Sequence, residues 1–530
     1  MKRILVLVLS GALLLAGCGE EPSEQANPLS LVPENAMMVV TLNDPAGVVR
    51  NIDGYIEEGA PILGVGLLEG LICEQLAISS LDSMPERYGF DPSGVIVFWM
   101  ENAMPNSMGM AVSAPDLPLF LSLMEEMGAE FTDEEPIDGN PVYSIDTGDG
   151  TIYITGSQGV AIMTMSLAKV EGLLGQLSSD GYDVPPTSLT MDVNFAMIGP
   201  MVAAQMPMAR AMMMQGFNED PTMPDFLPGI MDVYMDGIEM VLTQADRMTV
   251  TMEIGPEVFT VRKHVSFTEG SQLAEMLVPV GGRDMLELLP AGDLATVRFR
   301  MPGEMAYGIT SAFMNVFAAD FPEDNMRFWA SMAGNAGVAL YRDYPLHLVA
   351  AYEMPGEVSL EEIAATYTEY TEIVTSMFDD MPEVDGMFTM EDRGVVQLDG
   401  VDYYSMSMSI EADTLTSMNF DYWMTVHDGA LLIEMAPEPM LLPGVVSGNY
   451  DPASLEASGD MAGEMSLAGY ISMIMAFSPA GADLPEVGSD VIIRWNGGFE
   501  NGSINMEMTL NGADALATGF ALFGLLSATM

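Results

Sequence analysis

The sequence predicts an α+β fold made of two tandem homologous halves, each a mainly antiparallel sheet with one apolar face packed by a few helices. Three observations carry this reading. Strand signals come in runs, not in strict alternation with helices, which favours antiparallel pairing over a doubly wound parallel sheet. Four sequence echoes recur in one order along the chain. The chain has 530 residues, 49% of them apolar, enough for two or three domains with sizeable cores.

The N-terminus comes first. Lys2 and Arg3 form a short basic region, Ile4 to Leu15 an apolar run too short to span a bilayer as a stable helix, and Leu15-Ala16-Gly17-Cys18 follows. That order reads as a secretory signal over residues 1–17. The last four residues resemble the lipobox of bacterial lipoproteins, which implies that Cys18 is lipidated and becomes the new N-terminus, making the membrane a partner through lipid. Gly19, where an Asp would retain the protein, fits sorting to the outer membrane, facing the periplasm. Residues 18–29 read as the lipidated cysteine and a flexible tether, because Gly19 to Pro28 are polar, acidic and free of large apolar side chains. With Cys18 spent on lipid only Cys73 remains, so no intrachain disulfide forms. Ala513 to Met530 is rich in small residues and reads as a packed terminal helix, not a membrane span.

The echoes set the halves. Leu31-Val32-Pro33 before Val39 to Leu42 returns as Leu288-Leu289-Pro290 before Ala295 to Phe299, each a proline-opened turn feeding a strand. Ile137-Asp138-Gly139 returns as Leu398-Asp399-Gly400, the Asp-Gly pair being a tight hairpin signal. Gln158-Gly159-Val160 returns as Asp428-Gly429-Ala430, and the late alternating strand Arg247 to Ile254 as Ser503 to Leu510. The halves therefore run over residues 30–280 and 284–530, joined near Gly281 and Gly282. Helices are predicted over Leu117 to Met127 and Ser359 to Phe378; the second opens on Ser359-Leu360-Glu361-Glu362, a capping box. In the strands, Met248, Val250, Met252 and Ile254 share one face and Met406 and Met408 alternate with serines, so methionine stands where Leu or Val would.

Charge excludes some partners. Sixteen Lys and Arg stand against 77 Asp and Glu, a net charge of −61. Nucleic acid and anionic headgroups need clustered cations that this chain lacks. The scattered acids read as a solvated surface.

Pro200 to Gln215 carries six methionines. At helical spacing Met201, Met208 and Met212 form one stripe, while Met206, Met213 and Met214 spread around the rest, and Pro207 interrupts the helix. Three readings stay open: packed core, an adaptable surface for an apolar ligand, or a copper(I) site on Met206 and Met208, whose thioethers suit a soft ion. Catalytic signals are few. There is no Gly-x-Ser-x-Gly, no His-Glu-x-x-His and no phosphate loop with its lysine. Ser166-Leu167-Ala168-Lys169 matches a Ser-x-x-Lys pair but lacks its companion Lys-Thr-Gly; Asp146-Thr147-Gly148-Asp149-Gly150 lacks the spacing of a calcium loop and reads as a hairpin turn; His264, His347 and His427 stand far apart in structural contexts.

Val32-Pro33-Glu34, followed by an apolar strand and Asn43-Asp44-Pro45, resembles the entry motif of the DUF3352-like bacterial envelope lipoproteins, a domain of unknown function. Leu289-Pro290 opens the second copy without the Asp-Pro step. The resemblance implies an extracytoplasmic, non-enzymatic domain and carries no catalytic residues to transfer. The expectation is a lipid-anchored envelope protein with a scaffold or binding role and no cofactor, its partners an apolar ligand or another envelope protein. The rival from another class is a hydrolase whose carboxylate pair hides among the many acids.

Overall fold

A polar chain with two leucines close together folds where those leucines find cover. In the computed structural model, which describes residues 26–59, 65–148, 150–178, 185, 187–219, 227–317, 323–341, 347–354, 356–379, 388–410, 418–456, 459–466 and 492–511, Leu29 and Leu31 are buried with Pro28 in a single 3-10 turn. Asn27 caps the turn, its side-chain oxygen accepting from the Leu29 N–H at 3.0 Å. Residues 26–29, expected in the tether, thus belong to the packed body, because burying the apolar side chains outweighs the freedom of a short polar lead. Cys18, the signal and the segment from Ala513 lie outside the described residues.

Contacts divide the chain into two units, the first comprising residues to Ile198 with Asp246–Val265 and the stretch from Thr509, the second comprising Gly199–Ala245 and Ser266–Met508. Residues 199–245 lie in the first half by sequence and join the second unit by contact.

The first unit is built on strands β1 (Met38–Asn43), β2 (Val95–Met100), β3 (Met108–Ser113), β4 (Thr132–Asp133), β5 (Val142–Asp146), β6 (Thr151–Ser157), β7 (Val160–Thr164), β8 (Ser188–Asn194), β9 (Ala245–Ile254) and β10 (Val258–Phe267). They pair in the order β4-β5-β6-β7-β3-β2-β1-β8-β9-β10. Helices α1 (Pro45–Gly59), α2 (Leu67–Gln75), α3 (Met84–Tyr88), α4 (Leu117–Glu126) and α5 (Leu167–Gln176) pack on it.

Next come α6 (Phe195–Ala203), α7 (Met206–Glu219) and α8 (Leu227–Gln244). The second unit adds α9 (Gln272–Met276), α10 (Gly303–Phe317), α11 (Glu323–Gly334), α12 (Leu360–Asp379) and α13 (Leu442–Ser447). Its strands are β11 (Ala295–Arg300), β12 (Asn335–Tyr341), β13 (His347–Glu353), β14 (Phe388–Leu398), β15 (Val401–Ile410), β16 (Met418–His427), β17 (Ala430–Met435), β18 (Met461–Ser466), β19 (Ile492–Glu500) and β20 (Ser503–Asn511). Their pairing order is β14-β15-β16-β17-β13-β12-β11-β18-β19-β20. Every pairing with a defined register is antiparallel, and the fold class is α+β.

The turns are where the sequence placed them. Asp138-Gly139 and Asp399-Gly400 have φ of 52° and 80°, and of 54° and 83°, the left-handed pair that an Asp-Gly hairpin turn requires. The Ser359 capping box forms: the Glu362 N–H donates to the Ser359 hydroxyl at 3.2 Å and the Ser359 N–H donates back to the Glu362 carboxyl at 2.8 Å.

The expectation of one apolar face is corrected. Consecutive residues of the central strands are buried together, Ile96 with Val97, Ala161 with Ile162, Tyr403 with Tyr404, Leu431 with Leu432. Neighbours on a strand point to opposite faces, so each sheet is covered on both. In the first unit Ile96, Val112 and Ala161 meet Tyr88 and Phe120 from α3 and α4, whereas Val97, Trp99 and Ile162 meet Leu31 and Val170 from the opening turn and α5. In the second, Tyr404, Met406 and Met424 lie under Phe328 and Tyr367 from α11 and α12, while Tyr403, Trp423 and Leu432 lie against Leu286 and Leu442. The predicted alternation in β9 covers neither face fully: Met248 and Val250 are half-buried and Met252 is exposed.

A candidate ligand groove between two methionine-rich helices

Proline decides the local chain path. α6 carries Pro200 inside it and stops at Ala203; Ala204 and Gln205 form a turn, and α7 starts with Pro207 in its first turn, where the missing N–H leaves no bond unmade. The interruption expected at Pro207 is therefore a clean break into two helices. Gly199 permits the return of α8, since a Cβ there would stand 1.8 Å from the Leu242 carbonyl oxygen.

α7 and α8 face each other across a groove of about 590 Å³ lined by Met206, Pro207, Arg210, Ala211, Met214, Asp232 and Met235. Met206, Arg210 and Met214 stand four residues apart and so share one stripe of α7. Across from them Asp232 and Asp236 share a stripe of α8. The Arg210 guanidinium donates to Asp232 at 2.8 Å and to Asp236 at 2.7 Å. The hydrogen bond to Asp236, then that to Asp232, raises the Arg210 pKa. The result is a methionine-lined floor with an ion-paired rim.

The methionines singled out by sequence fall on both sides of this seam. Met206 is buried at 9% exposure in the groove, whereas Met201, Met208 and Met212 are 46%, 63% and 70% exposed on the outer surface. Packing against core does not account for that stripe. Met206 and Met208, the copper(I) alternative, sit in opposite environments, one inside and one outside. Met206 and Met214, read from sequence as spreading around the helix, share the groove stripe with Arg210; Arg210, Met235 and Asp232 were not singled out, and the missing part was the partner stripe on a helix about twenty residues on.

Other motifs resolve into structure. Lys169 pairs with Glu101 at 2.5 Å, which occupies the ammonium of the Ser-x-x-Lys match. Asp146 accepts from the Gly148 N–H at 2.9 Å in a hairpin turn. His264 is exposed, His427 half-buried, and His347 wholly buried, its Nε2 2.9 Å from the Glu434 carboxyl. Glu434 also accepts backbone N–H bonds from Met440, Leu441 and Leu442 at 3.0–3.1 Å, holding the start of α13. Asp53, the other deeply buried carboxyl group among the described residues, accepts from Leu68 and Glu69 N–H at 2.7 and 2.8 Å and holds the start of α2.

No family model and no curated protein matches the chain. Among solved structures it is similar to crystal forms IV, III and I of TP0453, at 10%, 9% and 9% identity and TM-scores of 0.25, 0.25 and 0.22. Each alignment covers 46% of this chain, and 81%, 81% and 79% of the other. A likeness that slight carries no argument about fold or activity.

Proposed function

We propose that this is a lipid-anchored binding protein of the cell envelope, non-enzymatic, that holds an apolar ligand in the groove between α7 and α8. The observation that carries it is the groove itself: a cleft of ligand size whose floor is Met206, Met214 and Met235. Thioethers on unbranched chains repack around varied apolar shapes at little conformational expense. The anchor rests on Leu15 to Cys18 and the order of charge, apolar run and lipobox, and implies the outer membrane facing the periplasm. Against the rival hydrolase reading stands only that Asp53 and Glu434, the two deeply buried carboxyl groups among the described residues, cap backbone N–H groups.

We further propose that the chain arose by duplication of one α+β half. Support comes from the two strand orders, in which β1 to β10 and β11 to β20 correspond one for one, and from matched turns at Asp138-Gly139 and Asp399-Gly400.

The test is native mass spectrometry of the full-length protein drawn from membranes, beside binding of the neutral dye Nile red. Ala211→Trp, at an exposed groove-lining position, fills the cleft without disturbing the core. Lipid or dye bound by the natural protein and lost in Ala211→Trp supports the reading. An apo mass and no dye uptake in either protein would end it.

A further inference from the structure

The groove's surroundings say more about its occupant than its floor does. On the two helices the one basic residue is Arg210, and α8 carries Asp232, Asp236 and Glu239 at spacings of four and three, on one stripe. The single arginine is shared between Asp232 and Asp236, which are 48% and 65% exposed and so keep oxygen atoms facing water. A neutral lipid uses only the methionine floor and leaves this rim without a role. An anionic lipid is repelled by it. A ligand that meets both features is apolar along one side and cationic along its flanks.

We propose that the groove takes a cationic amphipathic α-helix of a partner protein. This rests on the reading of α7 and α8 as a ligand site and names its ligand class. An apolar ridge of leucine-sized side chains at i, i+3 or i+4 and i+7 enters the methionine-lined cleft, while flanking Lys or Arg residues meet Asp232, Asp236 and Glu239. Asp236 and Asp232 exchange part of their pairing with Arg210 for the incoming cations. Association depends on salt, since the rim charges are solvent-facing and screened over about 10 Å at 0.1 M ionic strength.

The experiment titrates the full-length protein, held in nanodiscs of zwitterionic lipid, with three fluorescent peptides of about 18 residues, long enough for five helical turns. One is an amphipathic Leu/Lys helix, one its Leu/Glu counterpart, and one a scrambled Leu/Lys sequence of identical charge. Empty nanodiscs serve as blank. The scrambled peptide is needed because a protein of net charge −61 attracts any cation. The expected result is that the amphipathic Leu/Lys helix binds at least about tenfold tighter than either control, a difference of 1.4 kcal/mol, and that Ala211→Trp, which keeps every charge, and Asp236→Lys each abolish the difference. If Nile red binds but the amphipathic and scrambled peptides bind alike, the helix assignment is overturned and the apolar-ligand reading stands. If neither dye nor peptide binds, the groove reading itself falls and takes this proposal with it. A concentration-dependent dimer in sedimentation, lost in Ala211→Trp, would make a second copy of the chain the occupant and overturn the proposal.

Discussion

Methionine occupies two opposite situations within the second unit. Met406 on β15, Met424 on β16 and Met435 on β17 are buried, while Met201 on α6 and Met208 and Met212 on α7 lie in water. The side chain is the same, so the difference comes from what its element allows. A strand in a sheet covered on both faces has no outward side: Met406 and Met424 lie under Phe328, Ile363 and Tyr367 of α11 and α12, and the opposite face is covered by residues 285–288 and α13. A helix that touches its neighbour along one stripe buries that stripe only, which leaves the positions between exposed. Methionine in the sheet is ordinary core; at Met201, Met208 and Met212 it is surface.

The largest test of this contrast is in the polar groups that each region keeps. Glu434 is wholly buried beside His347 and accepts three backbone N–H groups. Glu434→Ala leaves all of them unsatisfied and is expected to lower the stability of the second unit by about 3–5 kcal/mol in denaturant unfolding. Arg210→Ala in the helical layer, by contrast, is expected to cost at most about 1 kcal/mol, because the ion pairs it removes are partly exposed. An equal loss in both variants would break the comparison.

The methionines themselves come next. Met424→Ala is expected to cost about 2–5 kcal/mol, the transfer and cavity terms of a buried thioether. Met212→Ala is expected to stay within about 0.5 kcal/mol, as for surface positions away from special contacts. A large loss at Met212 would mean that something covers α7 in solution. Peroxide oxidation followed by peptide mapping sharpens the same point: Met208 and Met212 convert to sulfoxide while Met406 and Met424 stay reduced until the unit unfolds.

How much of this was legible beforehand follows from the range of the interactions involved. Turn chemistry is local, so Asp138-Gly139, Asp399-Gly400 and the break at Pro207 could be read directly, as could helices α4 and α12 to within a residue or two. Face burial is not local. The alternation of Met406 and Met408 with serines suggested one apolar face, yet Ser405 is buried too, because the opposite face is covered by chain from residues 285–288 and from α13. The groove was half legible: the α7 stripe follows from spacing, but its closure depends on Gly199 meeting Leu242 and Arg210 meeting Asp232, which no single window contains.

The smallest effect concerns the lid over the buried methionines. α12 contributes Ile363 and Tyr367 to the cluster that encloses Met406 and Met424, and it starts at the Ser359 capping box. The Glu362 carboxyl is held below its ordinary value of 4.5, first by the Ser359 backbone N–H and then by the Ser359 hydroxyl, both of which bind the ionised form. A group whose folded pKa is depressed adds stability above its unfolded value and loses it as pH falls through the folded one. The first turn of α12 is therefore expected to fray as pH drops from 4.5 downward, seen as faster amide exchange at residues 360–363 with β15 and β16 unchanged. Glu362→Gln keeps the acceptor and removes the proton, so exchange there becomes independent of pH once the intrinsic rate is divided out. If the natural protein shows no such change, the box is not what starts the helix, and packing of Ile363 and Tyr367 alone holds the cover on the methionines.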